Sequence, residues 1–279
     1  MTSPKPASTP AEHWSAVADA WDQETDHVDR SSDAATEAMV AAARVQAGDR
    51  VLELAAGPGS LGSRWSALVG PTGRVVLSDV APGMVAAARR RNARWANVEV
   101  ALLDVSSIDA PDGSFDVVVC RMGLMFAPDP AAALAEIHRV LRPGGRFAAL
   151  TWGAIEHNPW MTCVGMAAMV HGVVAGGPPV EPGGIFSLGD PDQVGSLVRA
   201  ATFDDVVVEE IPVVFEAPSV DDHVARVSSL AGPLAAAFAE ATPEQLAAVR
   251  QTAAQLAADH VTEVGVRLPG RAILVSGRA

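Results

Sequence analysis

The stretch Val51–Gly62, VLELAAGPGSLG, decides the fold. Val51, Leu52 and Leu54 put apolar side chains on both faces of a short run, as a strand buried in the middle of a parallel sheet requires. Three glycines follow, Gly57, Gly59 and Gly62, in the order G-x-G-x-x-G. A sharp turn from strand to helix needs residues without bulk, and a ligand can approach the backbone closely where Cβ is missing. Such a loop suits a pyrophosphate or a bulky nucleoside equally well, and the glycines alone do not choose between them.

Outward from this loop, strands and helices alternate. The run RVLELAA (50–56) is followed by a helix in SLGSRWSALVG, a strand in GRVVLSDV, and a helix in PGMVAAARRRNAR with Pro82 at its start. A strand in VEVALLD, a strand in FDVVVCRM, a helix from Asp129 and a strand in RFAALTWG complete the pattern. Asp129 is expected to cap its helix, Pro130 to open it, and Pro143-Gly144-Gly145 to close it. Helices between successive strands force right-handed crossovers and a parallel sheet. Before this core, Ala11–Val45 reads as two helices, with Trp14, Val17, Ala18 and Trp21 at helical spacing and Ser32 or Asp33 as the second cap. After it come an apolar helix and a Gly/Pro-rich loop (154–189), a helix (190–203), a strand (205–216), Ala-rich helices (217–262) and a last strand (271–278).

Three carboxylates narrow the ligand. Glu53 lies in the strand just before the glycines, where its charge repels a pyrophosphate and attracts the ammonium and sulfonium of S-adenosylmethionine. Asp79 ends the next strand, where a carboxylate can accept from both ribose hydroxyls. Asp104 ends the third, where it can accept from an adenine amino group while the Val105 amide donates to the ring. The chain has no tyrosine, and its single lysine is Lys5, so a dehydrogenase of the Tyr/Lys type is excluded.

The ordered motifs VLELAAGPG, VVLSDVAPGM, LLD, DGSFDVVVCRMGLMF and EIHRVLRPGGRFAALTW resemble those of class I S-adenosylmethionine-dependent methyltransferases, most nearly the ubiquinone/menaquinone type, over roughly residues 48–153. One departure is Ala55, where that family more often has its first glycine. The resemblance implies an α/β fold, a doubly wound Rossmann-like sheet with a C-terminal antiparallel hairpin (205–216 with 271–278) and inserted helical lid elements. It implies one methyltransferase domain over 11–279 behind a disordered tail (1–10): an N-terminal helical cap (11–47), a cofactor-binding core (48–153), and substrate-lid insertions at 154–189 and 217–262. By position, Glu53 and the Ala55–Gly59 backbone, with Ala56, Gly57 and Gly59, hold the methionine portion. Asp79 takes the ribose hydroxyls, Val80 and Met84 flank the adenine, and Asp104 and Val105 read its polar edge. Arg121 passes the sulfonium with its backbone, and Trp21 closes over the cofactor from the N-terminal helices.

Methyl transfer is an in-line displacement in which placement and exclusion of water do most of the work, and a base is needed only where the acceptor must lose a proton. Candidates for that base are His157 with its neighbour Glu156, and His171, all in the first insertion. Met161, Met166, Met169, Val170, Val173 and Phe186 suggest an apolar lining for a small hydrophobic acceptor: a quinone-, polyketide- or terpenoid-like molecule of specialised metabolism, methylated on O or C. The alternative is a cyclase or isomerase that binds the same cofactor and transfers no methyl. A formal net charge of −13 disfavours nucleic acid and anionic membrane surfaces as partners. Cys120 and Cys163 lack metal-ligand spacing and read as buried free thiols, so no metal is expected and a reducing cytoplasm fits. No segment reads as a membrane span or secretory signal. A monomer or a homodimer is expected.

Overall fold

The computed structural model describes residues 9–176 and 179–279. Three helices, α1 (Pro10–Ala16), α2 (Ala18–Ser31) and α3 (Asp33–Ala43), precede the sheet, one more than the spacing predicts. Thr9 caps α1 in a reciprocal box with Glu12, so Thr9 and Pro10 belong to the helical cap rather than to a tail; residues 1–8 lie outside the described residues. Ser32 stands at the N-terminus of α3 but does not cap it: its hydroxyl donates to the Val28 carbonyl at 2.9 Å, back into the preceding turn.

The core then runs β1 (Arg50–Leu54), α4 (Gly62–Val69), β2 (Arg74–Asp79), α5 (Pro82–Asn92), β3 (Val98–Leu102), β4 (Phe115–Arg121), α6 (Pro130–Val140) and β5 (Leu141–Trp152). Asp129 caps α6 by accepting from the Ala131 and Ala132 amides, as expected. Pro143-Gly144-Gly145 does not close that helix. α6 ends at Val140, and β5 begins at Leu141, which already pairs with Phe115. Beyond it lie a 3-10 turn (Ile155–His157), α7 (Pro159–Val170), α8 (Pro191–Ala200) and β6 (Asp204–Ala217). Three helices follow, α9 (Val220–Leu230), α10 (Gly232–Glu240) and α11 (Pro243–Leu256); then a 3-10 turn, a two-residue strand β7 (Val261–Thr262) and β8 (Gly265–Arg278). The expected all-helical stretch thus ends at His260, because Val261 and Thr262 pair with the start of β8.

The strands form one sheet in the order β3-β2-β1-β4-β5-β8-β6, with β7 alongside β8. β1 to β5 are parallel, and β8 runs antiparallel between β5 and β6. The expected terminal hairpin is present as the β6–β8 pair, longer than predicted at both ends. Central strands are dry on both faces: Val51, Leu52, Val117, Val118, Val119 and Cys120 are fully buried. Chain order turns back between β1 and β4, and in sheets of this kind a crevice opens beyond the carboxyl ends of the two strands at that point. There the backbone is strained in a matched way. Ala55 follows β1 at φ +50° and Met122 follows β4 at φ +57°, both in the left-handed region that non-glycine residues avoid. Among the described residues no helix is long and apolar enough to cross a membrane.

Candidate active site

The crevice at the β1/β4 switch leads into one cavity of about 610 Å³. Its first wall is made of strand ends. Ala55, Ala56 and Gly57 come from the turn after β1, Asp79, Val80 and Met84 from β2 and the start of α5, Asp104 and Val105 from beyond β3, and Arg121 from β4. Gly57 has φ +56°, and a Cβ built on it meets nothing within 4 Å, so the backbone there faces open space.

Asp79 ties two turns together. One carboxylate oxygen accepts from the Gly57 amide and the other from the Ala81 amide, each at 2.9 Å. Each oxygen keeps a second lone pair for a ligand. Burial pushes its pKa up, and the bonds from Ala81, Gly57 and Val80 amides pull it back down. Asp104 accepts from the Ser106 amide at 2.8 Å and is exposed at the rim, two residues past the end of β3. Trp21 packs with Met84 and Ala81, and its indole N–H donates to the Leu230 carbonyl at 2.7 Å. Its ring stands edge-on to Trp14, which meets Phe126 in the same way at 5.1 Å.

Two expected groups sit differently. Glu53 is 1 % exposed and is not on the cavity wall: it turns into the interior and accepts from the Trp65 indole N–H at 2.7 Å. Burial pushes its pKa up to about 7, against the opposing pull of the Arg121 cation and the Trp65 bond. Gly59 also lies behind the wall, where the space for a side chain is taken by Asn92, Ala88 and Leu77. Arg121 contributes more than backbone. Its guanidinium donates to Asp29 at 2.7 Å and to the Ser60 hydroxyl at 2.8 Å, and Ser60 in turn donates to Asp29. This triangle fastens α2 to the loop after β1.

The second wall is apolar and comes from distant segments: Trp152, Trp160, Met161, Ile185, Phe215, Val227 and Leu230. Trp160 stacks on Phe215 at 4.1 Å and tilts against Trp152 at 4.8 Å. Asn158, wholly buried, sets this geometry. Its Oδ1 accepts from the Trp160 indole and from the Arg271 amide, and its Nδ2 donates to the Gly153 and Ala154 carbonyls.

The three expected base candidates are not brought to the cavity. Glu156 and His157 are exposed on the 3-10 turn, on the opposite side of the chain from Asn158 and Trp160. His171 ends α7 and is paired with the Thr252 hydroxyl at 2.8 Å. Of the expected apolar lining only Met161 reaches the wall. Met166 and Val170 are exposed, and Phe186 is buried in the core. The cavity's histidines are instead His27 on α2 and His223 on α9, beside Arg226. Both sat in segments whose helices were foreseen, but which helical face turns inward depends on contacts between elements some two hundred residues apart.

Residues 51–145 match the family described as a methyltransferase domain. The ubiquinone/menaquinone biosynthesis C-methyltransferase UbiE of Pseudoalteromonas translucida is 34% identical over 122 residues, covering 43% of this chain and 49% of its own. The chain thus spans about half the length of the curated relatives it matches. Among solved structures, the YcgJ protein of Bacillus subtilis superposes with a TM-score of 0.58 at 18% identity, over 87% of this chain and 96% of its own. The [4+2]-cyclase SpnF superposes with a TM-score of 0.55 at 18% identity, over 99% and 98%; at this identity both show the fold alone. Strand order, glycine turn and matched segment agree: residues 51–145 are similar to a methyltransferase domain and to the ubiquinone/menaquinone C-methyltransferases, and the fold around them is the one those solved structures share.

Proposed function

We propose that this chain binds S-adenosylmethionine against the strand-end wall and methylates a small, largely apolar acceptor held against the aromatic wall. The observation that carries the reading is the continuity of the two walls in one cavity, with a buried, doubly amide-bonded carboxylate on one side and stacked indoles on the other. The residues fit the cofactor. The open backbone at Gly57 admits a close nucleoside, Asp79 has lone pairs free for two hydroxyls, Val80 and Met84 offer an apolar slot for a base, and Trp21 stands over Met84. Asp104 and Val105 lie at the rim where a base edge would emerge, and the turn from Ala55 to Gly57, on the same wall, is left for the methionine portion. Once bound, the cofactor supplies an electrophilic methyl on a sulfonium.

Arg121, with Asp29 and Ser60, braces the floor where the two portions meet. Glu53 supports that floor through Trp65 rather than touching the ligand. The aromatic wall excludes water from the acceptor, which raises the reactivity of an anionic nucleophile. The acceptor class expected is an apolar molecule with one ionisable hydroxyl or carbon acid.

Calorimetry with S-adenosylmethionine and its demethylated product tests the first half; absence of heat with folded protein overturns it. Transfer of label to candidate acceptors tests the second, and product mass separates a methylation, which adds one methylene group, from a rearrangement, which adds none.

A further inference from the structure

The aromatic wall carries two polar groups that the fold leaves unanswered, and they stand one turn apart on α9. His223 is 1 % exposed, and its Nε2 lies 2.5 Å from the Trp160 carbonyl. A carbonyl can only accept, so Nε2 bears the hydrogen and Nδ1 of the neutral ring carries a lone pair. No hydrogen bond reaches that Nδ1 among the described residues. Arg226, at i+3 on the same face, donates through Nε to Glu24 at 2.8 Å, while its Nη1 is buried with no partner. Of the two, the Arg226 nitrogen is a buried polar atom without a partner, which costs about 1–3 kcal/mol and is rare in native folds.

Together they define what fits between them. A ketone or carboxylate could accept from Arg226 but has no proton for Nδ1. An amine could donate to Nδ1 but would face the guanidinium with like charge. A hydroxyl serves both, and best one that ionises readily. Resting on the methyltransferase reading, we propose that His223 and Arg226 form the acceptor-activating pair, and that the acceptor presents a phenolic or enolic hydroxyl. The O–H bond breaks with its electron pair left on oxygen, an N–H bond forms at Nδ1, and the oxyanion lies between imidazolium and guanidinium with no change in total charge. The proton is later released to water.

The surroundings support this. Burial, with the Arg226 and His27 charges, lowers the pKa of His223, against the pull of the Trp160 carbonyl, so the resting ring is neutral and its Nδ1 lone pair is free for a hydroxyl hydrogen. The groups that act on it are Arg226 on its own helix, His27 on α2 and the Trp160 carbonyl from α7. Glu24 keeps Arg226 in place without reaching the ring.

The test uses 4-nitrophenol, with 4-nitroanisole as the form that cannot ionise, and needs no cofactor. Bound to the wild-type chain, 4-nitrophenol is expected to ionise about tenfold more readily than in water, the effect of one or two charge-assisted bonds. It should also bind in preference to the anisole. His223→Gln, which keeps a donor for the Trp160 carbonyl, and Arg226→Gln are each expected to remove the tenfold gain, and retained binding of S-adenosylhomocysteine shows that the variants are folded. Should a variant fail to fold, the displaced ionisation in the wild type, with the His223 ring protonating by NMR as phenolate appears, carries the test. Unchanged ionisation, equal binding of phenol and anisole, no binding of either, or folded variants that behave as wild type overturns the proposal. Failure of S-adenosylhomocysteine to bind the wild type defeats the methyltransferase reading instead, while the phenol measurement stands or falls by itself.

Discussion

The two walls of the cavity are built in opposite ways. On the strand-end wall each residue follows a parallel strand of the core, and what matters is backbone: the open turn at Gly57, the amides held by Asp79, the left-handed residues Ala55 and Met122. On the aromatic wall the residues come from β5, α7, the segment before α8, β6 and α9, and what matters is side-chain packing around Trp160 and the placement of His223 and Arg226. α2 touches both. Asp29 bonds Arg121 and Glu24 bonds Arg226, so one helix ties the α9 side of the cavity to the strand ends. A cavity made this way can be altered by substitution on one wall without disturbing the other.

The largest expected effect breaks the aromatic wall. Trp160→Ala removes the stack on Phe215, the contact with Trp152 and the bond to Asn158. The loss of stability is expected at about 4 kcal/mol, as for buried Trp truncations generally. Denaturant unfolding measures it. S-adenosylhomocysteine affinity of the remaining folded protein should be unchanged if the walls are independent; a large parallel loss would merge them.

Next comes Glu53, which by sequence belongs to the cofactor loop and by position does not. Its folded pKa of about 7 stands above the ordinary 4.5, so the folded chain holds the proton more tightly than the unfolded one. Stability from this group is therefore fully present below pH 4.5, falls as pH rises towards 7, and stays low above it, a total of about 3 kcal/mol. Glu53→Gln keeps an acceptor for Trp65 and should flatten that decline, gaining up to about 3 kcal/mol at pH 8. The same variant sharpens the assignment of the charge. If the carboxylate is structural, the preference for S-adenosylmethionine over its product, which lacks the sulfonium charge, stays as in the wild type.

Asp79→Ala should act on the strand-end wall alone. It leaves the Gly57 and Ala81 amides without acceptors and removes the proposed ribose contacts. S-adenosylhomocysteine affinity is expected to fall about 100-fold by calorimetry, as for a charged group making two hydrogen bonds, with 4-nitrophenol ionisation unaffected.

The contrast between walls also explains what could be read in advance. The alternation of strands and helices from Arg50 to Trp152 is local and periodic, so the parallel sheet and the carboxylates at its strand ends were legible. Direction along one segment was not. In Ile155–Trp160 the charged pair Glu156 and His157 drew attention, yet Asn158 and Trp160 turn inward, because Asn158 satisfies the Trp160 indole and three backbone groups outside that stretch, one of them on β8. Nothing near His223 in the chain signals that Trp160, 63 positions away, supplies its partner. Glu53 was placed in the right strand but on the wrong side of it, since Trp65 competes for the carboxylate.

The smallest effect concerns Ala55, where a glycine is more usual. At φ +50° its Cβ costs about 1–2 kcal/mol, and that Cβ occupies the place a side chain on Gly123 would need, 2.2 Å away. The alanine after β1 and the glycine after β4 therefore form one steric unit across the switch point. Ala55→Gly relieves the strain but loosens the unfolded chain, so the net gain should be about 0.5 kcal/mol. Gly123→Ala alone collides with Ala55 and should destabilise. In the Ala55→Gly background the tightest contact left is the Cys120 sulfur at 3.0 Å, and most of the penalty should vanish. A double-mutant cycle on unfolding free energy reads the coupling directly, and about 1 kcal/mol or more is expected for residues in contact. Additive effects would mean that the two turns adjust separately, and that the left-handed alanine is held by its own strand rather than by its neighbour across the crevice.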